Sequence, residues 1–401
     1  MNRNRLENVM LVILGTDINA YGIARSCHSH YEKTSHAFGY KALVETANSR
    51  IVTPHIVEGF YRDEVFTRTL LDFAAAHPDK EKVLVPCSDL YAELMSRNAE
   101  VLQGAYRFRI VEEALRRKLE DKIDFYHMCE TYGLEYPDTH VLDAEYADFD
   151  FEGLEYPIAV KPNDSIGYAM IDFPHKKKAY TIHTPQAART VMAQIYGAGY
   201  KGAMILQDFI PGDQSEMAVL NTYSDGEGRV RMMCYGKCLL DEVLPLNIGN
   251  YNALVTEDNP EVYDRYQKFL EAIGYKGYGN FDLKRDPRDG RFKVFEMNLR
   301  PGRSSFYMEA GGLNYISYLL NDVLDGGLEG CHRHTARGLW LYVDPYVLKK
   351  YASPGDRAYA KELLKDGYAF TQWYENDRSP ARLLQYWRRR LSTVKYYRIY
   401  G

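Results

Sequence analysis

Polar and charged side chains alternate with apolar ones in the stretch FEMNLRPGRSSF, residues 295–306. Glu296, Asn298 and Arg300 occupy every second position, so a β-strand would place them on one face and the apolar residues on the other. A Pro-Gly turn then leads to a second arginine, Arg303. A carboxylate, an amide and two guanidinium groups at the end of one strand could serve a divalent cation and an anionic substrate.

A second carboxylate is predicted to join this face. Asp282 precedes the turn sequence DPRDG and Glu296 follows it, so the two flanking strands should pair as a β-hairpin. Cross-strand pairing can bring Asp282, Glu296 and Asn298 together, and such oxygen ligands suit Mg²⁺ while leaving room for phosphate oxygens. The alternative is an exposed polar face with a surface ion pair to Arg300. Each residue alone favours that alternative, and the metal-site hypothesis depends on their occurring together.

Basic residues upstream of the hairpin are candidates for binding phosphates. Lys161 ends the strand YPIAVKP and can place a point charge on the α- and β-phosphates of a nucleotide, and Lys122 on the preceding helix is a second candidate cation. The loop NDSIGY at 163–168 offers backbone N–H groups and the Ser165 hydroxyl. It has one glycine and is not a Walker loop, so the loop is a weak signal.

The stretch LQDFIPGD at 206–213 is a candidate for binding the nucleoside. Strand backbone at Phe209 and Ile210 could pair with a purine edge, and Asp213 could accept hydrogen bonds from ribose hydroxyls. Taken alone, the stretch favours a plain strand and turn.

Residues 1 to about 115 predict a small open α/β domain. VMLVIL at 9–14 is a buried strand followed by a glycine turn and a helix, and KVLVPCSD at 82–89 is a second strand. Ligands of such sheets lie beyond the carboxyl ends of the strands, which places residues 15–17 and 88–89 near a candidate site. For each of these residues alone, an ordinary role in the turn is favoured.

The pattern changes from about residue 116, and the chain from 116 to 335 is expected to form a second domain. One amphipathic helix is expected over 112–133, ended by a glycine, and 228–240 alternates like an exposed antiparallel strand. Residues 336–401 are expected to form a C-terminal helical extension.

Composition excludes several classes of protein. The net charge of −5 provides no global attraction to nucleic acid, and the absence of a Cys-x-x-Cys pair argues against a zinc ribbon. Six scattered thiols fit a reducing cytoplasm, and residues 9–14 are too short to cross a bilayer. His28, His30 and His36 are favoured as surface histidines over metal ligands.

The C-terminal tail is basic. Residues 378–401 contain seven arginines and lysines and no acidic residue, with Trp387 and several tyrosines interleaved. A solvated terminal helix is the favoured interpretation, and weak contact with an anionic membrane surface is the alternative.

The ordered set AVKP, LQDFIPGD, NFDLK and FEMNLRPGR resembles the ATP-grasp superfamily of carboxylate–amine ligases over roughly residues 85 to 320. LGTDINAYGIARS, AGYKGAMILQDFIPGD, VRMMCYG, IGNY and FEMNLRPGRSSF resemble, more closely, the D-aspartate ligase family, from near residue 10 to the tail. The loop NDSIGYAMIDF departs from the pattern, because it has fewer glycines than many ATP-grasp enzymes. The resemblance implies an ATP-grasp fold preceded by an α/β domain, with 116–335 as the catalytic domain and a lid subdomain at about 150–215.

The resemblance also implies a set of ligands and residue roles. ATP and two Mg²⁺ ions would bind, with Mn²⁺ as a substitute for Mg²⁺. The implied roles are phosphate contacts from Lys122 and Lys161; adenine and ribose contacts from Gln207, Phe209, Ile210 and Asp213; metal ligation by Asp282, Glu296 and Asn298; and carboxylate and acyl-phosphate contacts from Arg300 and Arg303. For Arg303, a role at the entry to a helix is weighed equally.

The reaction implied by the resemblance is part of peptidoglycan and cell-wall synthesis in the cytoplasm. ATP would convert the β-carboxylate of D-aspartate to an acyl phosphate, which the lysine ε-amine of a nucleotide-linked stem-peptide precursor would attack. One alternative is the same chemistry with another small carboxylate or amine. The other is a regulatory module that binds a nucleotide without turnover. No Gly-x-Ser-x-Gly or Cys/His pattern offers a protein nucleophile.

Overall fold

Three β-sheets and the helices around them make up the structure, a computed structural model that describes residues 6–164, 167, 168, 170–244, 247 and 249–401. Ser165 lies outside the described residues. Among the described helices, none combines the length and the hydropathy that a membrane crossing needs.

The first sheet is parallel and lies near the N-terminus, with strand order β3-β2-β1-β4. Its strands are β1 (Val9–Leu14), β2 (Ser35–Gly39), β3 (Val52–Ile56) and β4 (Glu81–Pro86), and its helices are α1 (Ile18–Tyr31), α2 (Asp63–Ala75), α3 (Asp89–Arg97) and α4 (Ala99–Gln103). The predicted strands at 9–14 and 82–89 are therefore confirmed, the second ending at Pro86.

The second sheet is antiparallel, with order β5-β8-β6-β7. It contains β5 (Thr139–Leu142), β6 (Ile158–Pro162), β7 (Tyr180–Ile182) and β8 (Met204–Asp208), with helix α7 (Pro185–Gly197) packed through Ala188, Met192 and Ile195 into the same core. It places Lys161, near the end of β6, opposite Ile205 at the start of β8.

The third sheet has eight strands, and seven follow the order β13-β12-β9-β10-β11-β15-β16, with β14 paired to β10. Its strands are β9 (Met217–Ser224), β10 (Val230–Asp241), β11 (Tyr251–Glu257), β12 (Gly277–Arg285), β13 (Phe292–Asn298), β14 (His332–Arg333), β15 (Gly338–Leu341) and β16 (Ala369–Phe370). The remaining helices are α5 (Glu113–Glu120), α6 (Lys122–Tyr132), α8 (Pro260–Ala272), α9 (Tyr307–Ala310), α10 (Ile316–Asp325), α11 (Pro345–Tyr351), α12 (Arg357–Asp366) and α13 (Pro380–Tyr400).

Three expectations about individual elements differ from the structure. Strand β10 is not exposed: it lies between β9 and β11, and its side chains enter two cores, Met232 into one and Met233 into the other. The single helix predicted over 112–133 is two helices, because Asp121 adopts extended backbone and its carboxylate caps α6. The segment after residue 335 is not helical throughout, since β15 and β16 extend the central sheet.

Two of the three histidines also differ from the expectation. His30 is exposed, whereas His28 and His36 are partly buried. His36 Nδ1 lies 3.0 Å from His55 Nε2 in the parallel sheet. Burial, and then repulsion from His55 and His77, lower the pKa of His36 to about 4.

This low pKa predicts acid sensitivity of the parallel sheet. Between pH 6.5, the ordinary histidine value, and about 4, the unfolded chain binds more protons at this position than the folded chain, so stability falls as pH falls. When the pH falls from 7 to 5, the free energy of unfolding should decrease in both proteins. We expect the decrease to be about 1 kcal/mol smaller in His36→Gln than in wild type. Urea unfolding at the two pH values measures this, with exposed His30→Gln as the control. Equal losses in His36→Gln and wild type would contradict it.

Candidate active site

Two carboxylates face each other across the hairpin of β12 and β13. Asp282 pairs with Glu296 and Asn280 with Asn298, which confirms the predicted hairpin. Met297 is buried on the other face of β13, so the predicted alternation is also confirmed. Glu296 is exposed at the mouth of the site and Asp282 is partly buried below it.

The environment of Asp282 favours its protonated form when no cation is present. The Tyr251 hydroxyl lies 3.0 Å from Asp282 Oδ1, and Asn298 Nδ2 lies 3.2 Å from Asp282 Oδ2. Burial, and then the negative charge of Glu296, raise the pKa of Asp282 to about 7. The charge of Arg300 offsets only part of this increase, so a bound cation would be needed to favour the ionised form of Asp282.

The donor set fits Mg²⁺ with one rearrangement. The oxygen donors of the hairpin are the carboxylates of Asp282 and Glu296 and the amide of Asn298. In the described part of the chain, no group of three or more His, Cys, Asp or Glu side chains is placed to hold a metal. The amide of Asn298 presents Nδ2 to Asp282 and Oδ1 to Arg300, each at 3.2 Å. Ligation by Asn298 together with Asp282 would therefore turn its oxygen toward that carboxylate.

Arg300 joins the hairpin to the parallel sheet. Its Nη2 donates to Asp89 Oδ2 at 3.0 Å, and Asp89 is the first residue of α3, just after β4. Of the turn residues singled out in this sheet, Asp89 thus reaches the candidate site directly. Asp17 and Ser88 serve as helix caps, accepting hydrogen bonds from Ala20 N and Tyr91 N, as the ordinary role in a turn predicts.

Arg303 lies in a separate polar pocket. Its Nη2 is 3.4 Å from Asn252 Oδ1 and 3.5 Å from Glu242 Oε2. Its guanidinium carbon is 4.0 Å from the ring centre of Tyr342. These contacts hold the guanidinium over an aromatic ring, and a guanidinium fixed in this way can make two parallel hydrogen bonds with a carboxylate.

Lys161 is held by a chain of buried polar groups. Its Nζ donates to Gln207 Oε1 at 3.0 Å, and Gln207 Nε2 donates to the Tyr126 hydroxyl at 3.0 Å and to Thr139 Oγ1 at 2.9 Å. Burial, and then the charge of Lys122, lower the pKa of Lys161 to about 8. The Gln207 side chain is fully engaged inside the protein, so it positions Lys161 in this structure.

Lys122 is the first residue of α6, directly after the cap residue Asp121. Asp121 Oδ2 accepts a hydrogen bond from Asn163 Nδ2 at 2.9 Å, which ties the start of the predicted phosphate loop to the helix that carries Lys122. The structure thus brings Lys122 and Lys161 together, as phosphate binding by both would require.

The nucleoside stretch is not strand beyond Asp208, where β8 ends, so Phe209 and Ile210 lie in irregular chain. Lys284 fixes this segment: its Nζ donates to the carbonyls of Ile210 at 2.8 Å and Gly212 at 3.0 Å. The Ile210 carbonyl therefore already accepts a hydrogen bond from Lys284, and a purine edge would pair with other backbone groups of this segment.

Phe209 is 38% exposed, and its ring centre lies 5.6 Å from Lys284 Nζ. Asp213 is exposed, and its Oδ1 accepts from Ser215 N at 2.9 Å and Ser215 Oγ at 2.7 Å. Burial raises the pKa of Asp213, but the hydrogen bonds from Ser215 outweigh it and leave that pKa lowered, so the carboxylate stays charged.

Sequence reasoning missed five residues that shape the site: Tyr251, Glu242, Asn252, Lys284 and Tyr342. Tyr251 and Lys284 lie within the quoted motifs IGNY and NFDLK, which could have pointed to them. The partners of Arg303 lie 39 to 61 residues away from it in sequence, so no local pattern links them to it.

Comparison with known proteins gives both a sequence relative and structural neighbours, although no protein-family model matches the chain. The chain is 38% identical over 398 residues to the D-aspartate ligase of Enterococcus faecium (strain Aus0004), covering 96% of this chain and 94% of that one. The N5-carboxyaminoimidazole synthetase of Staphylococcus aureus superposes with a TM-score of 0.60 at 11% identity, covering 85% of each chain. The L-amino acid ligase of Bacillus licheniformis does so with a TM-score of 0.56 at 14% identity, covering 80% of this chain and 77% of that one. These likenesses confirm the predicted ATP-grasp fold.

The raised pKa of Asp282 predicts a pH effect on stability. A carboxyl group with a folded pKa near 7 binds more protons folded than unfolded, so its contribution to stability declines as pH rises from about 4 to about 7. We expect the melting temperature of the ligand-free protein to fall less between pH 5 and pH 7 in Asp282→Asn than in wild type. Added Mg²⁺ and nucleotide should stabilise wild type far more than the variant.

Glu309 provides the control, because burial raises its pKa to about 7 as well, while it is bonded to Ser26 and Asn314 away from the hairpin. Glu309→Gln should change the pH slope and keep the response to Mg²⁺ and nucleotide. A full response to Mg²⁺ in Asp282→Asn would contradict the metal-site assignment.

Proposed function

This chain belongs to the D-aspartate ligase family of ATP-dependent carboxylate–amine ligases, and we propose that it joins the β-carboxylate of D-aspartate to a lysine ε-amine. The proposed acceptor is a nucleotide-linked peptidoglycan stem peptide, and the proposed location is the cytoplasm. The division into residues 1–115, a catalytic part at 116–335 with a lid at about 150–215, and a third segment at 336–401 belongs to the same proposal.

One observation carries the proposal: the acid pair faces itself across the hairpin of β12 and β13, and both arginines follow shortly after β13 ends. Asp282 and Glu296 supply anionic oxygens for a cation, and Arg300 and Arg303 follow within seven residues of Glu296. The groups proposed for the metal, the transferred phosphoryl and the carboxylate are therefore close to one another along the chain, as expected for a site that transfers a phosphoryl group in line to a carboxylate.

The chemistry proceeds in two balanced steps. A carboxylate oxygen attacks the γ-phosphorus of ATP and the bond to ADP breaks, giving an acyl phosphate. The amine nitrogen then attacks the acyl carbon, inorganic phosphate leaves, and the nitrogen loses its proton as the amide forms. Bound Mg²⁺ would neutralise the phosphate charge, with Mn²⁺ as a proposed substitute and two ions as the proposed number.

Residues of the chain would divide the remaining work. Lys161 and Lys122 would bind phosphate oxygens and draw negative charge from the transferring group, with Gln207 holding Lys161 in place. Arg300, anchored by Asp89, would face the developing acyl phosphate. Arg303 would hold the substrate carboxylate, a contact for which it would exchange its 3.5 Å ion pair with Glu242.

Trapping the activated acid tests the proposal. Incubation with ATP, Mg²⁺, hydroxylamine and a panel of amino acids should give β-aspartyl hydroxamate from D-aspartate, because hydroxylamine intercepts an acyl phosphate. L-aspartate, D-glutamate and D-asparagine are the matched comparisons. Hydroxamate from another acid but not from D-aspartate would overturn the substrate assignment and leave the ligase class intact. Phosphate release that needs neither acid nor amine would overturn the ligase reaction.

The different positions of Glu296 and Arg303 predict different kinetic defects. Glu296→Gln should lower turnover at least about a hundredfold, the scale for one preorganised electrostatic group, without unfolding the protein, since it relieves repulsion with Asp282. Arg303→Ala should raise the KM for the amino acid and lower kcat while ATP affinity stays near wild type. Arg229→Ala, at an exposed arginine that pairs with Glu227, is the control. Equal loss of ATP affinity in both site variants would assign Arg303 to the nucleotide instead.

A further inference from the structure

The C-terminal helix α13 presents an exposed apolar and basic face to solvent. Leu384, Trp387 and Leu391 are 59%, 50% and 70% exposed. Their spacing of three and four residues places them along one side of the helix. Isolated exposed apolar side chains are ordinary, but a stripe of them at helical spacing marks a surface that contacts something apolar.

Cations lie on the same side of the helix. Arg388, Lys395 and Arg398 are exposed and follow the spacing of the apolar stripe. The other three basic residues of α13 are paired with acids: Arg382 with Asp377, Arg389 with Glu45 and Arg390 with Asp344. In the part of the chain that the structure describes, no acid pairs with Arg388, Lys395 or Arg398.

The opposite side of α13 is fixed to the protein. Arg382, Tyr386, Thr393 and Tyr397 are buried, and the Tyr397 hydroxyl accepts from Asn252 Nδ2 at 2.9 Å. The helix is therefore held rigidly with its outer face directed away from the core. No acidic residue occurs in Pro380–Tyr400, although the whole chain carries a net charge of −5, so the basic character is local to this helix.

We propose that this face docks α13 parallel to the surface of an anionic lipid bilayer. Leucine and tryptophan side chains would enter the boundary between headgroups and acyl chains while the three cations contact anionic headgroups, as in interfacial amphipathic helices. The exposed Val44, whose carbonyl accepts from Gln385 Nε2 at 2.7 Å, lies beside α13 and adds to the apolar area.

Charge decides between the bilayer and a second copy of the chain. Symmetric pairing of two copies through this face would set the same three cations against one another. An anionic lipid surface neutralises them instead. This inference is independent of the proposed reaction, because the face includes no residue assigned to substrate or metal.

Vesicle sedimentation of the full chain tests the proposal. Binding should be strong to vesicles of mixed phosphatidylglycerol and phosphatidylcholine, weak to phosphatidylcholine alone, and reduced when salt rises from about 0.05 M to about 0.5 M. The variant R388Q/K395Q/R398Q should bind anionic vesicles about a hundredfold more weakly, from roughly a fivefold loss per cation. L384S/W387S/L391S should also lose binding.

The matched control is K118Q/K201Q/K268Q, which removes the same charge from exposed lysines elsewhere and should bind within about twofold of wild type. Unchanged thermal unfolding of each variant would show that the helix stays docked. Equal wild-type binding to neutral and anionic vesicles, or wild-type binding by R388Q/K395Q/R398Q, would overturn the proposal. A lipid-free wild-type dimer that becomes a monomer in L384S/W387S/L391S would instead assign the face to self-association.

Discussion

The arrangement of the candidate site depends on one constraint, the repulsion between Asp282 and Glu296. The hairpin register forces the two acids together, and that register is fixed by the turn after β12, where Arg288 and Lys293 both bind Asp286. Arg288 and then Lys293 hold the pKa of Asp286 far below its usual range. Asp286 therefore keeps its negative charge, and its two ion pairs stabilise the turn, at any physiological pH. The acids cannot separate without breaking this turn.

The same hairpin connects the other two sheets to the site. Arg288 also binds Asp208 at the end of β8, which links the turn to the antiparallel sheet that carries Lys161. On the other side, Arg300 binds Asp89, and Asn19 of α1 donates to the carbonyl of Pro301. Groups from all three sheets therefore meet at the two ends of β13, so a shift of either outer sheet would change the position of a predicted substrate-binding side chain.

Local pattern was sufficient for the parts of the site that one strand or one turn determines. The alternation at Glu296 and Asn298 and the hairpin itself follow from period-two spacing and turn chemistry, which depend on neighbouring residues alone. The burial of β10 does not follow from local pattern, because it depends on helices that pack on both faces of the central sheet. Likewise, the interruption at Asp121 results from a cap stabilised in part by Asn163, which is 42 residues away in sequence.

The acid pair and the lysine pair of the site are destabilised by charges of opposite sign when no ligand is bound. This links the binding of the proposed metal to the binding of the proposed nucleotide. Around Asp282, negative charge is disfavoured without a cation, and around Lys161, positive charge is disfavoured without an anion. Glu296 is the group common to both: it raises the pKa of Asp282 and also raises that of Lys161, opposing the effect of Lys122. A nucleotide bound with its metal would bring an anion to the lysines and a cation to the acids at once. Either ligand alone would relieve only one side, so each should bind more tightly in the presence of the other.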